Sequence, residues 1–297
     1  MSRPVKIMSI AFKLDGERKM LSLLNSSARE GLDLIILPET CLGNQIEALE
    51  TLETFNPGVI GEVQKTAASL SVNIVFPVYI SRGGLKRVNA AIVIDRRGRI
   101  AAVYEKLYPY WSEFDLEPPC AVTGGGDCAV TLDFGKIGLA VCFDANFPGV
   151  WQNLRDQGAE LVVWSSAYSA GSQLAAYSLI HHYPIVTSTQ VPDAAVFDID
   201  GREILYKKGE DSCVAEYTLD LDRCIFHENF NQDKAAKLVK ERGDDIEIEK
   251  EYGREQWFIM RAKNAGASAR ELAALYGMTE LTAYQEDSRA KIDAMRI

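Results

Sequence analysis

A chain of 297 residues, 47% hydrophobic and 25% charged, has the make-up of an ordinary water-soluble globular protein. It is long enough for one large α/β domain or two small ones. The formal net charge of −10 and pI near 5.0 argue against a nucleic-acid surface and against attraction to anionic membranes. No apolar run reaches the roughly eighteen residues of a membrane-spanning helix. The amino terminus runs almost directly into a strand with no signal-peptide core, which reads as a cytoplasmic location.

In chain order, Lys6 to Phe12 is a first strand. Glu17 to Glu30 follows as an amphipathic helix with Met20, Leu23, Leu24 and Ala28 on one side, stopped by Gly31. Leu32 to Leu37 is a buried strand closing a β-α-β start, and it runs into Pro38-Glu39. Residues 42–57 read as a surface loop at the rim of a site, Val59 to Ser71 as a helix, and Asn73 to Tyr79 as a strand. Arg87 to Ile94 and Arg99 to Glu105 make a hairpin in which Gly98 supplies a positive φ. Its second strand ends on Lys106, with Glu113 a little further on. A Pro- and Gly-rich loop from Leu116 to Gly126 leads to a second hairpin, Ala129 to Leu132 and Ile137 to Val141. That run ends on Cys142 and a tight corner, Phe143 to Pro148, before a helix from Val150 to Gln157. Leu161 to Ser165 and Pro184 to Thr189 read as strands around a helix at 174–182. Asp200-Gly201 turns the hairpin between Ala194 to Ile199 and Arg202 to Tyr206. Strands alternating with helices and hairpins predict an α/β fold with mixed sheets.

From about His227 the character changes, which divides the chain into a domain at 1–226 and an extension at 227–297. Asn231 to Arg242 reads as a helix, Ile246 to Glu251 as an edge strand, and three short helical segments follow. Ser268-Ala-Arg-Glu271 is a capping-box pattern. The extension evokes a helix-turn-helix, but its twelve Lys and Arg stand against fourteen Asp and Glu, the wrong sign for a DNA reader. A helical arm packed on the core or on a second subunit is the expected use.

Six cysteines (Cys41, Cys120, Cys128, Cys142, Cys213, Cys224) form no Cys-x-x-Cys pair. The three histidines include the adjacent His181-His182, whose side chains diverge on a helix, so no metal site and no disulfide framework is expected. Cys142 is singled out by position: a thiol at the carboxyl end of a buried strand, where open α/β sheets place their ligands. The turn amides and the following helix dipole are expected to favour its thiolate.

Glu39, Lys106 and Cys142 each close an apolar run, in that order. Pro38-Glu39, Lys106 and the segment Gly135-Lys-Ile-Gly…Cys142-Phe-Asp144…Phe147-Pro148 together resemble the nitrilase superfamily of carbon–nitrogen hydrolases over roughly residues 5–226. The resemblance implies a four-layer α-β-β-α sandwich, a homodimer or larger assembly, and no cofactor. It implies Glu39 as general base, Cys142 as nucleophile, and Lys106 with the Phe143 backbone N–H as oxyanion donors. Glu113 matches the family's second glutamate, which orients the lysine. Cys142-Phe-Asp144 is similar to the amidase and carbamoylase branches rather than to the Cys-Trp-Glu of nitrile-cleaving members. Asn146 stands where several amidase-type members carry Arg. Tyr110, Trp111, Trp164, Tyr168 and His181, with Asn146, are candidates to shape the substrate pocket, each aromatic also a candidate for packing. The expected activity is hydrolysis of a small amide or carbamoyl compound through a Cys142 thioester. Nitrile hydrolysis, acyl transfer through the same thioester, and a catalytically silent binding subunit are the alternatives.

Overall fold

The structure, a computed structural model, describes residues 1–123 and 127–296, so the last three residues of the Leu116 to Gly126 loop lie outside the described residues. The chain folds as two compact units: Val5–Thr218, and Met1–Pro4 together with the chain from Leu219 onward.

In chain order the first unit carries β1 (Pro4–Phe12), α1 (Gly16–Ser27), β2 (Leu34–Ile36), β3 (Ile46–Ala48), α2 (Gly58–Leu70), β4 (Asn73–Arg82), β5 (Leu85–Ile94) and β6 (Ile100–Glu105). It continues with β7 (Ala129–Leu132), β8 (Gly135–Val141), α3 (Pro148–Asp156), β9 (Leu161–Ser166), α4 (Ser172–His181), β10 (Ile185–Thr189), β11 (Asp193–Phe197), β12 (Glu203–Lys208) and β13 (Ser212–Asp220). One sheet has the order β13-β1-β2-β4-β5-β6, with β3 also on β4, and the other the order β12-β11-β10-β9-β8-β7. Both are mixed: β1, β2 and β4 run parallel and β4, β5 and β6 antiparallel. In the second sheet β8, β9 and β10 are parallel, flanked by antiparallel hairpins at each edge.

Period-two alternation explains the layering. Met8, Ile10 and Phe12 of β1, Ile35 and Leu37, and Ile74, Phe76 and Val78 of β4 share one core with Met20 and Leu24 of α1 and Ile60, Val63 and Ala67 of α2. The intervening residues face the second sheet. There Ser165 Oγ donates to Leu37 O at 2.8 Å and Ser188 Oγ to Ile10 O at 3.0 Å, joining the sheets. On the outer side of the second sheet α3 and α4 are tied by the Trp151–Tyr177 stack at 4.5 Å. The result is the α-β-β-α sandwich.

Three readings shift. Helix α1 ends at Ser27, ahead of Gly31, because Ala28 is already extended and Ser26 Oγ turns back onto Leu23 O. Residues 42–57 include the short strand β3, parallel to β4. Ser212–Asp220, not read as an element, is an edge strand that alternates Cys213, Ala215 and Leu219 inward.

The second unit is less helical than expected. β14 (Cys224–His227), α5 (Gln232–Arg242), β15 (Ile246–Tyr252), β16 (Trp257–Ala262), α6 (Ala269–Leu275) and α7 (Leu281–Ala294) follow in order. The three strands form one antiparallel sheet, β14-β16-β15, in which β15 is indeed an edge. Within the stretch after Glu251, where three short helical segments are expected, Trp257 to Met260 is part of a central strand; a short, wholly buried apolar run carries no period to separate helix from strand. Because Cys224–His227 pairs with β16, the units divide at Thr218 and Leu219, ahead of the 226/227 boundary read from sequence. Ser268 Oγ accepts from Glu271 N at 3.1 Å, one half of the capping box.

Gly98 supplies its positive φ of 76°. A Cβ there would lie 2.5 Å from Gln64 O and from the Phe55 ring. Gly98→Ala therefore combines left-handed strain with overpacking, and we expect a loss of about 2–4 kcal/mol in urea unfolding, without loss of native secondary structure.

Candidate active site

The site is built where strands of both sheets end. Glu39 lies just beyond β2, after Pro38, which has no N–H to continue a ladder. Its backbone carbonyl accepts from Gln190 Nε2 at 2.7 Å. Lys106 follows β6, its N–H donating to Asn89 O at 2.9 Å. Glu113 sits in a 3₁₀ turn, Trp111–Asp115. Cys142 follows β8 with φ of 48° and opens a second 3₁₀ turn, Cys142–Asn146. A left-handed non-glycine residue is strained, and the surroundings hold it there. Trp164 Nε1 donates to Cys142 O at 3.2 Å, while Gln173 Nε2 and Tyr177 OH donate to Ala145 O at 2.7 and 3.0 Å.

All four candidates are buried: Glu39 4%, Lys106 2%, Glu113 6% and Cys142 7% exposed. Lys106 Nζ bridges the carboxylates, 2.7 Å from Glu39 Oε1 and 2.6 Å from Glu113 Oε1. Glu39 Oε2 accepts the Ala167 N–H at 3.0 Å, a bond that spans the two sheets. Glu113 also accepts from Tyr110 N at 2.8 Å and Tyr79 OH at 3.2 Å. Asn89 Nδ2 donates to Glu39 Oε1 at 2.9 Å and to Glu113 Oε2 at 2.8 Å.

Burial alone would neutralise the Lys106 ammonium, but the charges of Glu39, Cys142 and Glu113 outweigh it and hold the group protonated, well above the ordinary lysine range. For Glu113, burial pushes the carboxyl up, and Lys106 with the Asn89 and Tyr110 donors overrides this and holds it below the ordinary range. Cys142 departs from the expected thiolate. Burial and the neighbouring Glu39 charge, only partly opposed by Lys106 and the Ala167 N–H, push the thiol up to about 12. The dipole of α3 does not reach it, because the 3₁₀ turn separates Cys142 from the helix start at Pro148 and dipole effects fade within one turn. Burial and Glu39 thus favour the thiol form of Cys142 over the thiolate.

Asp144, fully buried, ties the Cys142 turn to the strand end that carries Lys106. Its carboxylate accepts from Val141 N at 2.8 Å, from Tyr104 OH at 2.7 Å and from Tyr108 N at 3.0 Å. The two tyrosines flank Lys106, so one side chain sets the register of Cys142 against Lys106.

Of the pocket candidates, Trp164 has no exposed surface and supports the Cys142 turn from below rather than forming a wall. Tyr168 packs edge-on against Trp164 at 5.3 Å, and burial and the nearby Cys142 push its phenol up to about 12. Asn146 is exposed and also donates to Phe143 O at 3.2 Å. Tyr110 and Trp111 are 39% and 63% exposed. Tyr110 joins Phe143, and Phe143 joins Phe147, in edge-to-face contacts of 5.2 and 5.5 Å. His181 is not in this group; it stacks on Tyr183 at 5.5 Å, and burial, Arg155 and His182 push it down to about 4.

Sequence reasoning missed Asn89, Ala167 and Gln190. Asn89 had a signal, as the one polar residue in the apolar run Val88 to Ile94. Ala167 and Gln190 act through a backbone N–H and across sheets, and no residue pattern announces that.

Residues 15–226 match the carbon–nitrogen hydrolase family, and the chain belongs to it. It is 28% identical over 164 residues to deaminated glutathione amidase of Synechocystis sp. PCC 6803, covering 50% of this chain and 59% of that one. The chain thus spans little more than half the length of such relatives. In structure it is similar to Saccharomyces cerevisiae Nit3, a member of branch 10 of the nitrilase superfamily, with TM-score 0.57, 15% identity, and 77% and 94% of the two chains covered. It is also similar to a variant amidase of Nesterenkonia sp. AN1 with the acetamide moiety of fluoroacetamide added covalently at its active-site cysteine. That match has TM-score 0.61 and 16% identity, covering 81% and 97%.

Proposed function

We propose that this chain is a thiol amidohydrolase that cleaves a non-peptide C–N bond of a small, uncharged amide or carbamoyl compound. The observation that carries the reading is Lys106 Nζ held at 2.7 and 2.6 Å between two buried carboxylates, with the buried Cys142 thiol close enough for its charge to act on both Lys106 and Glu39. Two carboxylates and one ammonium leave the resting site anionic, which disfavours an acidic group near the scissile bond.

Sγ of Cys142 attacks the substrate carbonyl carbon as its proton passes to Glu39. The proton lands on Oε2, since Oε1 already accepts from both Lys106 and Asn89 while Oε2 accepts only the Ala167 N–H. Lys106 and the Phe143 N–H take the oxyanion of the tetrahedral adduct. The C–N bond breaks as Glu39 returns the proton to the leaving nitrogen, releasing ammonia or an amine and leaving a thioester. Glu39 then deprotonates water, which attacks the thioester; the acid departs and the thiol is restored. Glu113 keeps Lys106 aimed. The enzyme is cytoplasmic and assembles as a homodimer or larger, which sedimentation of the purified chain tests.

The deciding experiment measures ammonia release from ω-amides, carbamoyl-amines, aliphatic amides and nitriles, with intact-mass detection of an acyl adduct. Wild type is expected to turn over one amide-type class and Cys142→Ala to show neither turnover nor adduct. Equal rates in the two proteins, or an adduct on another residue, would sink the thioester reading. Product transfer to added amine in preference to water would mark an acyltransferase.

A further inference from the structure

Asn89 occupies the middle of β5, 1% exposed, opposite Tyr79 on β4. Its two amide hydrogens have one acceptor each, Glu39 Oε1 at 2.9 Å and Glu113 Oε2 at 2.8 Å. Its own backbone carbonyl accepts the Lys106 N–H at 2.9 Å. Asn89 Oδ1 is buried with no hydrogen-bond partner among the described residues. Turning the amide over would aim that oxygen at two carboxylates, so the orientation is dictated by the donors. A buried acceptor left bare is unfavourable, and it is tolerated here because the amide's N–H groups are what the site uses.

We propose that Asn89 is a positioning residue for C–N hydrolysis, a neutral second bridge between Glu39 and Glu113 that keeps both carboxylates ionised and selects Oε2 of Glu39 as the base. The proposal rests on the thioester reading above. Lys106 alone cannot do this work. One ammonium between two carboxylates leaves a net negative charge in a dry site, and the usual relief is a shared proton on the carboxylate pair. A proton held by Glu39 would block removal of the thiol proton. A neutral donor pair stabilises both anions without adding charge, so Lys106 stays free to turn toward an oxyanion. Donors to Oε1 also occupy the lone pairs there and direct the thiol proton to the other oxygen.

The test compares Asn89→Leu, Asn89→Asp and Asn89→Ser with wild type over pH 5–9 on the amide identified by the panel, with thermal unfolding run alongside. Asn89→Leu should lower kcat on the order of 10–100-fold, the scale seen for outer-shell partners of other sites, with KM nearly unchanged. Its acid limb should move to higher pH by about one unit, because the carboxylate pair then binds a proton more readily. Asn89→Asp keeps the volume but trades both donors for acceptors, so it should be at least as impaired as Asn89→Leu at pH 7. Asn89→Ser keeps one donor and should fall between. A packing role predicts the reverse order, with the isosteric Asp variant mildest and the acid limb unmoved, and that result would overturn the proposal. Should Asn89→Leu unfold, the Asp and Ser variants alone decide between these orders. Wild type lacking any amide turnover would instead overturn the underlying function, a separate failure.

Discussion

Lys106→Met should cost at least about 10²–10³-fold in kcat/KM, the usual cost of one oxyanion donor, and should also destabilise the fold by about 3–5 kcal/mol. The two losses have one origin. The Lys106 side chain is 1% exposed and its ammonium is the only cation bonded to Glu39 and Glu113 among the described residues. Methionine fills similar space but leaves two buried carboxylates facing each other, held only by neutral donors from Asn89, Ala167, Tyr110 and Tyr79. One carboxyl of the pair would then take up a proton more readily when folded than when unfolded. With the folded-state pKa raised above the unfolded value, the variant's deficit is largest above that pKa and shrinks as pH falls through it. Urea unfolding at pH 7 and pH 5 should therefore show the gap from wild type narrowing at the lower pH. A gap that is absent, or that widens on acidification, would show that the buried pair is not what Lys106 holds.

Glu39→Gln should separate two functions of one carboxylate. Amide turnover is expected to fall about 10²–10⁴-fold, because no group remains to take the thiol proton, protonate the leaving nitrogen or activate water. Alkylation of Cys142 by a haloacetamide, which needs only a thiolate and carries its own leaving group, should persist. The sign follows from the charges. Burial and then the Glu39 charge push the wild-type thiol up to about 12, while Lys106 opposes them. Removing the Glu39 charge lowers the thiol pKa, so the alkylation profile of the variant should rise at lower pH than that of wild type. Site-resolved mass spectrometry over pH 7–10 reads this, and Cys142→Ala supplies the blank. Turnover within tenfold of wild type, or an alkylation profile moved to higher pH, would remove Glu39 from the role of base.

Much of this site was legible along the chain. Glu39, Lys106 and Cys142 end apolar runs, and a strand's end is where its direction delivers a side chain out of the ladder. The mixed sheets followed from hairpins interleaved with β-α-β units, and Gly98 and Gly201 marked turns with positive φ. The strand at Trp257–Ala262 is illegible along the chain because its buried apolar part, Trp257–Met260, is a four-residue run with no period. Ser212–Asp220 was passed over because an edge strand with one wet face reads much like a polar loop.

What the sequence by itself determined was which residues stop at strand ends, which faces are apolar, and hence the class of fold. Only the tertiary structure decided the chemistry of the ends. The Cys142 thiol is pushed up by burial and by Glu39 arriving from the other sheet, and Lys106 is held as a cation because two carboxylates close on it. Asn89 matters because its amide meets Glu39 and Glu113 from positions far apart in the chain. Proton affinity and hydrogen-bond partnership depend on distances of a few ångströms between groups remote in sequence, and residue order does not encode those distances locally.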